Sequence, residues 1–349
     1  MDFKITICVI TYNSQSYLPE LIKSIKASSL QDFELFFIDN NSQDGTVAFL
    51  EEAGFSDAIT MLSMNFGHSY AANLALQKSK TRYLLLLDHD TVVDKDLFLK
   101  LYEAAESERR SEFSVFAPKI VDLGRKETYY GGNFHYIGKT YTNRKMPENL
   151  EIGMIGSTAP LIDLDKISGT TYFDNDFFIY WNDADFFYRL RAMGKRIKLV
   201  PDAVVYHLEG TQDYSHRGGV RYSSKRAYLL LRNHKLFILK NYSLSTILVF
   251  IPCFILYELF NITFCIKKMI FLKAYLRSII GFLTLLKPMI AKRRIFQKMR
   301  RVDDKNLVGC YDLDFNPGVV STYLEKVFVR ILEIVFMKYY IFVKSTFWR

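Results

Sequence analysis

Cysteine is scarce in this chain of 349 residues, and its thiols form no CxxC pair. Because they lie mostly in apolar runs, we expect buried thiols in a reducing compartment, which excludes a zinc knuckle and an extracellular disulfide framework. The cysteines are Cys8, Cys253, Cys265 and Cys310. The opening stretch MDFKITICVITYN also lacks the basic flank and long apolar core of a secretory signal, so we expect it to contain a first β-strand.

Acidic side chains are nearly absent from residues 225–301, which hold sixteen Lys and Arg but one acid, Glu258. The net charge of the whole chain is only +9, so the remaining residues are acidic on balance. Half of all residues are hydrophobic and 24% are charged, a composition that excludes a disordered chain. The length suits one large α/β domain with an appendage, and the basic segment marks the start of that appendage.

Short apolar runs alternate with amphipathic stretches over residues 5–88, a pattern typical of βαβ units. This predicts a parallel sheet covered by helices on both faces. Ligands of such sheets bind beyond the carboxyl ends of the strands, and polar residues cluster at those positions in this sequence. The clusters are Thr11 to Asn13, Asp39 to Asp44 and Asp88 to Asp90.

Residues 113–170 are irregular and predict short mixed strands and loops. A clear unit returns at FFIYWNDADFFYRLRAMGKRIKLVPDAVVYH. It predicts a helix from about Asp183 to Met193, a stop at Gly194 and a strand that ends at His207. We expect that strand to rejoin the crevice formed by the earlier strand ends.

The C-terminal part is rich in apolar and basic residues. Residues 244–266 are long enough to cross a membrane but contain one acid and one proline, so they are a marginal transmembrane candidate. Basic flanks and aromatic residues favour helices that lie in the headgroup layer of an anionic membrane. The alternative is a helical subdomain that packs on the rest of the protein.

Asp88 and Asp90 follow four consecutive leucines, so a buried strand delivers two carboxylates side by side at its carboxyl end. Carboxylates this close repel each other unless a cation neutralises them, and their oxygens suit a divalent ion shared with phosphate. Asp followed by Thr91 can also form a turn or a helix cap. The residues by themselves leave both interpretations open.

A second acidic pair, Asp183 and Asp185, lies at a predicted helix start behind an aromatic-rich approach. Capping explains one Asp, whereas a carboxylate in a partly desolvated pocket has a raised pKa and is a better base. His207 follows an apolar strand, where most histidines are ordinary core or rim residues. A third ligand for the ion at Asp88 and Asp90 is the alternative, because neutral imidazole suits manganese and tolerates magnesium.

Two other stretches resemble known ligand-binding motifs but do not match them. The stretch Asp39 to Gly45 lacks the central glycine and the distal Glu of a calcium loop, so Asp39 is better suited to accept a hydrogen bond from a pyrimidine ring. The stretch GNFHYIGKT has Asn133 where a phosphate-binding loop needs its first glycine.

Five segments in order resemble the motif set of family-2 glycosyltransferases: ITICVITYNSQSYLPELIKSI, FELFFIDNNSQDGT, MNFGHSYAANLAL, YLLLLDHDT and the unit ending in His207. The resemblance covers roughly residues 3–240, and within the family the sequence is similar to the rhamnosyltransferase and galactofuranosyltransferase branch. It implies a GT-A-type nucleotide-binding α/β/α sandwich with a mostly parallel central sheet, followed by a C-terminal helical membrane-associating region. The expected catalytic domain is 1–225, with a nucleotide-sugar half at about 1–112 and an acceptor half at about 113–225. The basic helical region is 226–349.

The resemblance also implies roles for particular residues. The donor nucleoside is expected at Thr11, Tyr12, Asn13 and Asp39, and the ribose, diphosphate or sugar near Asn65, Gly67 and Asn73. Asp88 and Asp90 match the family's DxD pair, with Asp90 as a direct metal ligand, Asp88 on ribose or on the metal through water, and His207 completing the site. Asp183 matches the catalytic base, Asp185 is expected to orient the acceptor or the base, and Trp181 to stack on a sugar. One departure stands out. The family usually has an acidic residue directly before the base, whereas this sequence has Asn182 at that position.

The implied reaction is metal-dependent (Mg²⁺ or Mn²⁺) transfer of a sugar with inversion of the anomeric configuration. The first donor expected is dTDP-rhamnose, followed by UDP-sugars, and the expected acceptor is a polyprenyl-diphosphate-linked glycan of a bacterial surface polysaccharide. The enzyme is expected on the cytoplasmic face of the membrane, peripheral or monotopic, bound to anionic lipid and not to nucleic acid. Oligomerisation stays open.

Three competing interpretations remain from the sequence. A nucleotidyltransferase shares an acidic metal site but attacks at phosphorus. A basic nucleic-acid-binding protein is motivated by the charge of residues 225–301, although the Leu, Ile and Phe between those charges favour lipid. A non-catalytic scaffold is motivated by Asn182. A glycosidase also uses two carboxylates but needs no metal–diphosphate site.

Overall fold

The computed structural model describes residues 3–156, 158–167, 172–208, 223–267, 269–313, 315, 320 and 322–348. The chain forms two compact units. The first contains Met1–Gly132 and Asn143–Val220, and the second contains Asn133–Thr142 and Arg221–Arg349.

Thirteen strands and ten α-helices are found in the described ranges. In chain order they are β1 (Ile5–Thr11), α1 (Leu18–Lys26), β2 (Phe33–Asp39), α2 (Thr46–Glu52), β3 (Ile59–Met61), α3 (His68–Lys78), β4 (Tyr83–Asp88), β5 (Thr91–Val93), α4 (Leu97–Ser107), β6 (Phe113–Asp122), β7 (Glu127–Tyr129), β8 (Gly132–His135), β9 (Thr140–Thr142), β10 (Glu151–Ile152), β11 (Leu161–Asp163), α5 (Asn182–Ala192), β12 (Arg196–His207), α6 (Ser224–Asn241), α7 (Leu244–Lys267), α8 (Leu272–Thr284), α9 (Leu286–Met299), β13 (Val308–Gly309) and α10 (Tyr323–Thr346).

The first unit is built on a sheet with the strand order β10-β12-β6-β11-β4-β1-β2-β3. Strands β4, β1, β2 and β3 pair in parallel, as do β6 and β12, while β11 lies antiparallel between β4 and β6. Every residue of β1 is buried, and so are the first five of β4, as expected for strands covered on both faces. The predicted α/β architecture is confirmed, with antiparallel strands added to the parallel part of the sheet.

The helices that cover this sheet follow from amphipathic spacing. Helix α1 has Pro in its first turn, where its missing N–H costs nothing. Its buried residues, Leu18, Leu21, Ile22 and Ile25, recur at the helical period. Burial contributes about 1.5–3 kcal/mol for each such side chain.

The register of the sheet brings distant polar residues to one edge. Thr11 pairs with Asp39 at the ends of β1 and β2, and Ile10 pairs with Asp88 at the end of β4. Strand β12 reaches the same region because it runs parallel to β6 and pairs antiparallel with the short strand β5, which places His207 opposite Thr91. The predicted strand that ends at His207 is thereby confirmed.

The second unit contains helices α6 to α10 and a small sheet in the order β13-β8-β9. Aromatic side chains form much of its core: the ring of Tyr136 lies 4.3 Å from that of Phe250 and 5.4 Å from that of Tyr340. The Tyr136 hydroxyl donates a hydrogen bond to the carbonyl of Phe336 at 3.0 Å. A helical C-terminal region is therefore confirmed.

Helix α7 has the length and composition to cross a membrane, with a mean hydropathy of 2.0 over its most apolar window. Helices α8 and α9 taken together are also long and apolar enough to cross a membrane, although there is a bend of 57° between them. The placement of these helices relative to a membrane stays a prediction.

Candidate functional site

Two carboxylates and one imidazole meet at the edge where the strands end. One ligand atom each from Asp88, Asp90 and His207 lies within 4.8 Å of the others. His207 Nε2 and Asp90 Oδ1 are 3.0 Å apart, and Asp90 is only 5% exposed. Among the described residues, this is the one group of three such side chains arranged to hold a metal ion.

This cluster fits a divalent cation. Octahedral Mg²⁺ has ligands at about 2.0–2.1 Å, so neighbouring ligand atoms on it lie about 3 Å apart. The 3.0 Å separation of His207 Nε2 and Asp90 Oδ1 matches that spacing. Carboxylate oxygens with one imidazole nitrogen form a donor set that suits Mn²⁺ and tolerates Mg²⁺.

The pKa of Asp88 also indicates a site for a cation. Burial raises the pKa of Asp88 to about 6, and repulsion from the Asp90 carboxylate adds to that rise. Negative charge at this position is therefore costly in the protein without a counter-ion. A divalent cation is the largest local charge in such a site and reverses this effect.

Asp183 lies in the first turn of α5, as predicted to within one residue of the helix start. Its Oδ1 accepts a hydrogen bond from the Ala184 N–H at 2.8 Å. Burial nevertheless raises the pKa of Asp183 to about 6. Repulsion from Asp183 also contributes to the raised pKa of Asp88, so the two carboxylates lie within electrostatic reach of each other.

The backbone before Asp183 is strained. Phe178, Tyr180 and Trp181 all have φ values of 63° or 64°, in the left-handed region that non-glycine residues rarely adopt. Each such residue costs about 1–3 kcal/mol and persists only where surrounding contacts hold it. Such strain clusters at functional sites, and here it turns the chain into the helix that carries Asp183.

The start of α3 holds this strained segment. Gly67 has a φ of +87°, and a Cβ there would lie 2.5 Å from the Phe178 ring. The Ser69 N–H donates to the Phe178 carbonyl at 3.2 Å, and the Gly67 N–H donates to Asn65 Oδ1 at 2.9 Å. Asn73 adds a second tie, because its amide exchanges two 2.8 Å hydrogen bonds with the backbone of Phe173. Asn65, Gly67 and Asn73 thus support the loop, and their contact with a donor stays a prediction.

The predicted nucleoside residues form one connected turn. Thr11 Oγ1 donates to Asp39 Oδ1 at 2.8 Å, and the Ser42 N–H donates to Asp39 Oδ2 at 2.8 Å. Asn13, with a φ of 50°, accepts from the Gln43 N–H through its side-chain oxygen at 2.8 Å. The Tyr12 N–H bonds to the hydroxyl of Ser14, which closes the turn after β1.

The two residues predicted to face the acceptor differ in their surroundings. Trp181 is partly exposed and precedes α5 in a left-handed conformation. Asp185 is fully buried and accepts a hydrogen bond from Arg189 Nε at 2.9 Å. Because its carboxylate is enclosed, this placement favours the positioning role of Asp185 over direct contact with an acceptor.

His68 is a site residue that sequence reasoning missed. Its Nδ1 lies 3.1 Å from Asn182 Nδ2, and its Nε2 lies 3.9 Å from Asp88 Oδ1. Burial lowers the pKa of His68 to about 4. The signal available in the sequence was its position directly after Gly67, at the start of a helix that begins near the strand ends.

Known proteins share this fold and part of this sequence. Residues 6–162 match the family model described as "Glycosyl transferase family 2". The crystal structure of GalNAc-T7 with UDP, GalNAc and Mn²⁺ is similar in fold alone, with a TM-score of 0.55 and 13% identity over 68% of this chain and 47% of that chain.

Two curated bacterial proteins are similar over shorter stretches. The chain is 29% identical over 136 residues to the teichoic acid poly(glycerol phosphate) polymerase of Staphylococcus epidermidis, covering 36% of this chain and 19% of the polymerase. It is 30% identical over 90 residues to the O-antigen chain rhamnosyltransferase RfbN of Salmonella typhimurium, covering 26% of each. The chain thus spans at most about a quarter of the length of these two relatives, and the rhamnosyltransferase branch stays a prediction.

The family match begins in β1 and ends in β11, so it covers the strands that deliver Asp39, Asp88 and Asp90. Residues 6–162 therefore match the model of glycosyl transferase family 2, and the first unit has the mixed α/β fold of GT-A glycosyltransferases.

Proposed function

We propose that this protein is a metal-dependent, inverting glycosyltransferase that uses a nucleotide-diphosphate sugar. The observation that carries the proposal is a cluster suited to a cation at one edge of the sheet, with a carboxylate of raised pKa within electrostatic reach of it. Asp88, Asp90 and His207 form the cluster, and Asp183 is the separate carboxylate.

Asp88, Asp90 and His207 would hold the cation. When bound, a divalent cation neutralises the charge that develops on the diphosphate leaving group. The turn at Thr11 and Asp39 lies at the ends of the neighbouring strands and is proposed to bind the nucleoside. A nucleotide bound at this turn would lie beyond the carboxyl ends of the strands, where α/β sheets bind ligands.

Asp183 is the proposed general base. A base works best when its pKa is near the working pH, and burial has moved the pKa of Asp183 to about 6. Its carboxylate takes the proton of an acceptor hydroxyl while that oxygen bonds to the anomeric carbon. The bond from that carbon to the diphosphate oxygen breaks on the opposite side, so the anomeric configuration inverts.

The first donor proposed is dTDP-rhamnose, on the sequence resemblance and on the similarity to a rhamnosyltransferase. UDP-sugars come second, since the GalNAc-T7 structure of similar fold contains UDP. The proposed acceptor is a polyprenyl-diphosphate-linked glycan in bacterial cell-surface polymer synthesis. Both curated relatives carry names from such pathways, teichoic acid and O-antigen.

A peripheral or monotopic position on the cytoplasmic membrane face is proposed from the surface of α7. Apolar side chains on this helix are exposed at helical spacing: Leu244, Leu248, Ile251, Ile255 and Leu259. Phe250, Cys253 and Tyr257 lie buried on the opposite face. The surrounding segment is strongly basic, and each Lys or Arg near an anionic surface adds about 1 kcal/mol of attraction.

A donor panel with Mn²⁺ tests this proposal. The purified protein is incubated with dTDP- and UDP-sugars and with an extract of lipid-linked glycans, and the released nucleotide is identified by chromatography. Release of nucleoside diphosphate that depends on the metal and disappears in Asp183→Asn is expected. Release of sugar 1-phosphate instead would indicate attack at phosphorus, that is nucleotidyl transfer, and would overturn the proposal.

A further inference from the structure

His68 makes two polar approaches that the proposed reaction does not yet use. Its Nδ1 lies 3.1 Å from the side-chain nitrogen of Asn182, and its Nε2 lies 3.9 Å from Asp88 Oδ1. Within the described residues, Nε2 is buried and has no hydrogen-bond partner. Leaving a buried polar atom without a hydrogen bond is unfavourable, so its presence calls for a physical reason.

The contact with Asn182 fixes where the imidazole carries its proton. The side-chain nitrogen of Asn182 faces Nδ1 of His68 and only donates hydrogen bonds, so with the amide in this orientation Nδ1 accepts and carries no hydrogen. A ring without a hydrogen on Nδ1 is neutral and carries its hydrogen on Nε2. That N–H is the group that faces the Asp88 carboxylate.

We propose that His68 is a positioning residue for Asp88, with its Nε2–H placed by Asn182 so that it donates to Asp88 Oδ1 when the site is loaded. A separation of 3.9 Å is longer than a hydrogen bond, and such contacts at reactive sites often tighten only in the complex. Donation to one carboxylate oxygen leaves the other oriented toward the cation. Partners of this kind orient metal ligands and tune metal affinity.

The proposal gives a reason for Asn182. The sequence resemblance leads us to expect an acid at this position, and an acid accepts hydrogen bonds but does not donate them. A carboxylate at position 182 would require a hydrogen on Nδ1, which would remove the fixed Nε2–H tautomer. Asn182 and His68 therefore work as a pair. The inference rests on the proposed metal-dependent function, but its first test needs neither substrate nor turnover.

The tautomer of His68 can be read directly by ¹⁵N NMR. In protein with ¹⁵N-labelled histidine, with the signal assigned by comparison with His68→Gln, the His68 ring is expected to show a hydrogen-free Nδ1 and a protonated Nε2. Asn182→Asp is expected to put a hydrogen on Nδ1, whereas Asn149→Asp, the same change at an exposed site, leaves the signal unchanged. A protonated Nδ1 in the wild-type protein overturns the proposal.

Mn²⁺ affinity provides the second readout and uses a matched pair. The amide nitrogen of Gln reaches about as far as Nε2 of His, whereas that of Asn reaches only as far as Nδ1. His68→Gln should bind Mn²⁺ nearly as well as the wild type, and His68→Asn about 10-fold more weakly, as measured by titration calorimetry. Equal affinities in the two variants, or no Mn²⁺ binding by the wild type, would overturn the proposal. Failure of sugar transfer alone, with this affinity pattern intact, would count against the proposed function and leave the role of His68 standing.

Discussion

His207 Nε2 lies 3.0 Å from Asp90 Oδ1, although 117 positions separate the two residues in the chain. The contact depends on β12, which lies beside β6 and is held at its end by β5. A donor set assembled from two distant segments needs the whole sheet to be folded. Metal binding is therefore expected to stabilise the folded state, because the unfolded chain lacks the site.

The cluster predicts that Asp90→Asn abolishes metal-induced stabilisation. An amide oxygen carries no net charge and is a weaker ligand for a hard cation, so the loss of Mn²⁺ affinity should be about 100-fold. The thermal midpoint of the wild type is expected to rise with added Mn²⁺, and that of the variant to stay constant. Asp57→Asn, at an exposed position, is the control and should keep the full response. An equal Mn²⁺ response in Asp90→Asn would rule out this cluster as the site.

The raised pKa of Asp183 predicts the pH profile of turnover. A general base acts in its charged form, and the pKa of Asp183 is raised to about 6. The rate at saturating donor should therefore increase between about pH 5 and pH 7 and then level off. Rates measured over this range with a donor found in the panel test the prediction. A rate that stays constant down to pH 5 would mean that Asp183 is not the base.

The same shift predicts that Asp183→Asn stabilises the protein while it abolishes turnover. Because the folded pKa of Asp183 lies above its unfolded value, its contribution to stability is full below about pH 4 and is lost as the pH rises through about 6. One pKa unit corresponds to about 1.4 kcal/mol, and partial exposure reduces the effect to about 1–2 kcal/mol.

The amide introduced by Asp183→Asn is neutral at every pH, so the free energy of unfolding should increase relative to wild type at pH 8 and not at pH 4. Urea unfolding at both pH values, in buffer without metal, measures the difference. No gain at pH 8 would show that burial does not destabilise the charged form of Asp183. Retained binding of donor nucleotide by the variant would separate loss of the base from loss of the fold.

Much of the first unit could be predicted because its signals are local. The leucine run before Asp88 indicates a buried strand, and Gly194 stops α5 where expected. Acidic pairs at a strand end and at a helix start are visible as residue types. These features require no knowledge of which segments pair in the fold.

The remaining parts of the site depend on long-range pairing. Strand β5 has three residues and no sequence signal of its own, yet it sets the position of His207. The register between β12 and β6 also shifts at Val200 and Val204, which no periodicity reveals. His68 could not be predicted as a site residue because its contacts are with Asn182 and Asp88. These residues are distant from it or without a recognisable spacing to it in the sequence.

The exposed stripe on α7 predicts vesicle binding. Leu248 and Ile255 are both 57% exposed and lie two turns apart on one face. Replacing both with Glu should weaken binding to phosphatidylglycerol vesicles by about 10-fold or more for each residue, because each loses about 1.5 kcal/mol or more of apolar burial. Co-sedimentation at low salt measures this, and binding by the wild type should fall as salt is added.

The matched control for this change is Met61→Glu with Met64→Glu, which introduces the same charge at exposed apolar positions of the first unit. That variant should bind vesicles as well as the wild type. Equal binding by both double variants would mean that α7 does not contact lipid.

Two glycines test whether the contact between α3 and the strained loop is needed for catalysis. Gly67 and Gly54 have φ values of +87° and +88°, so Ala at either position costs about 1–2 kcal/mol of backbone strain. A Cβ at Gly54 meets nothing within 4 Å, whereas a Cβ at Gly67 lies 2.5 Å and 2.6 Å from the ring and the carbonyl oxygen of Phe178. Gly67→Ala should therefore lose more stability than Gly54→Ala in urea unfolding, and it alone should lose turnover at a temperature where both are folded. Both variants carry the same backbone strain, but only Gly67→Ala places a Cβ against Phe178. Equal activity in the two variants would therefore mean that the loop before Asp183 is not needed for the reaction.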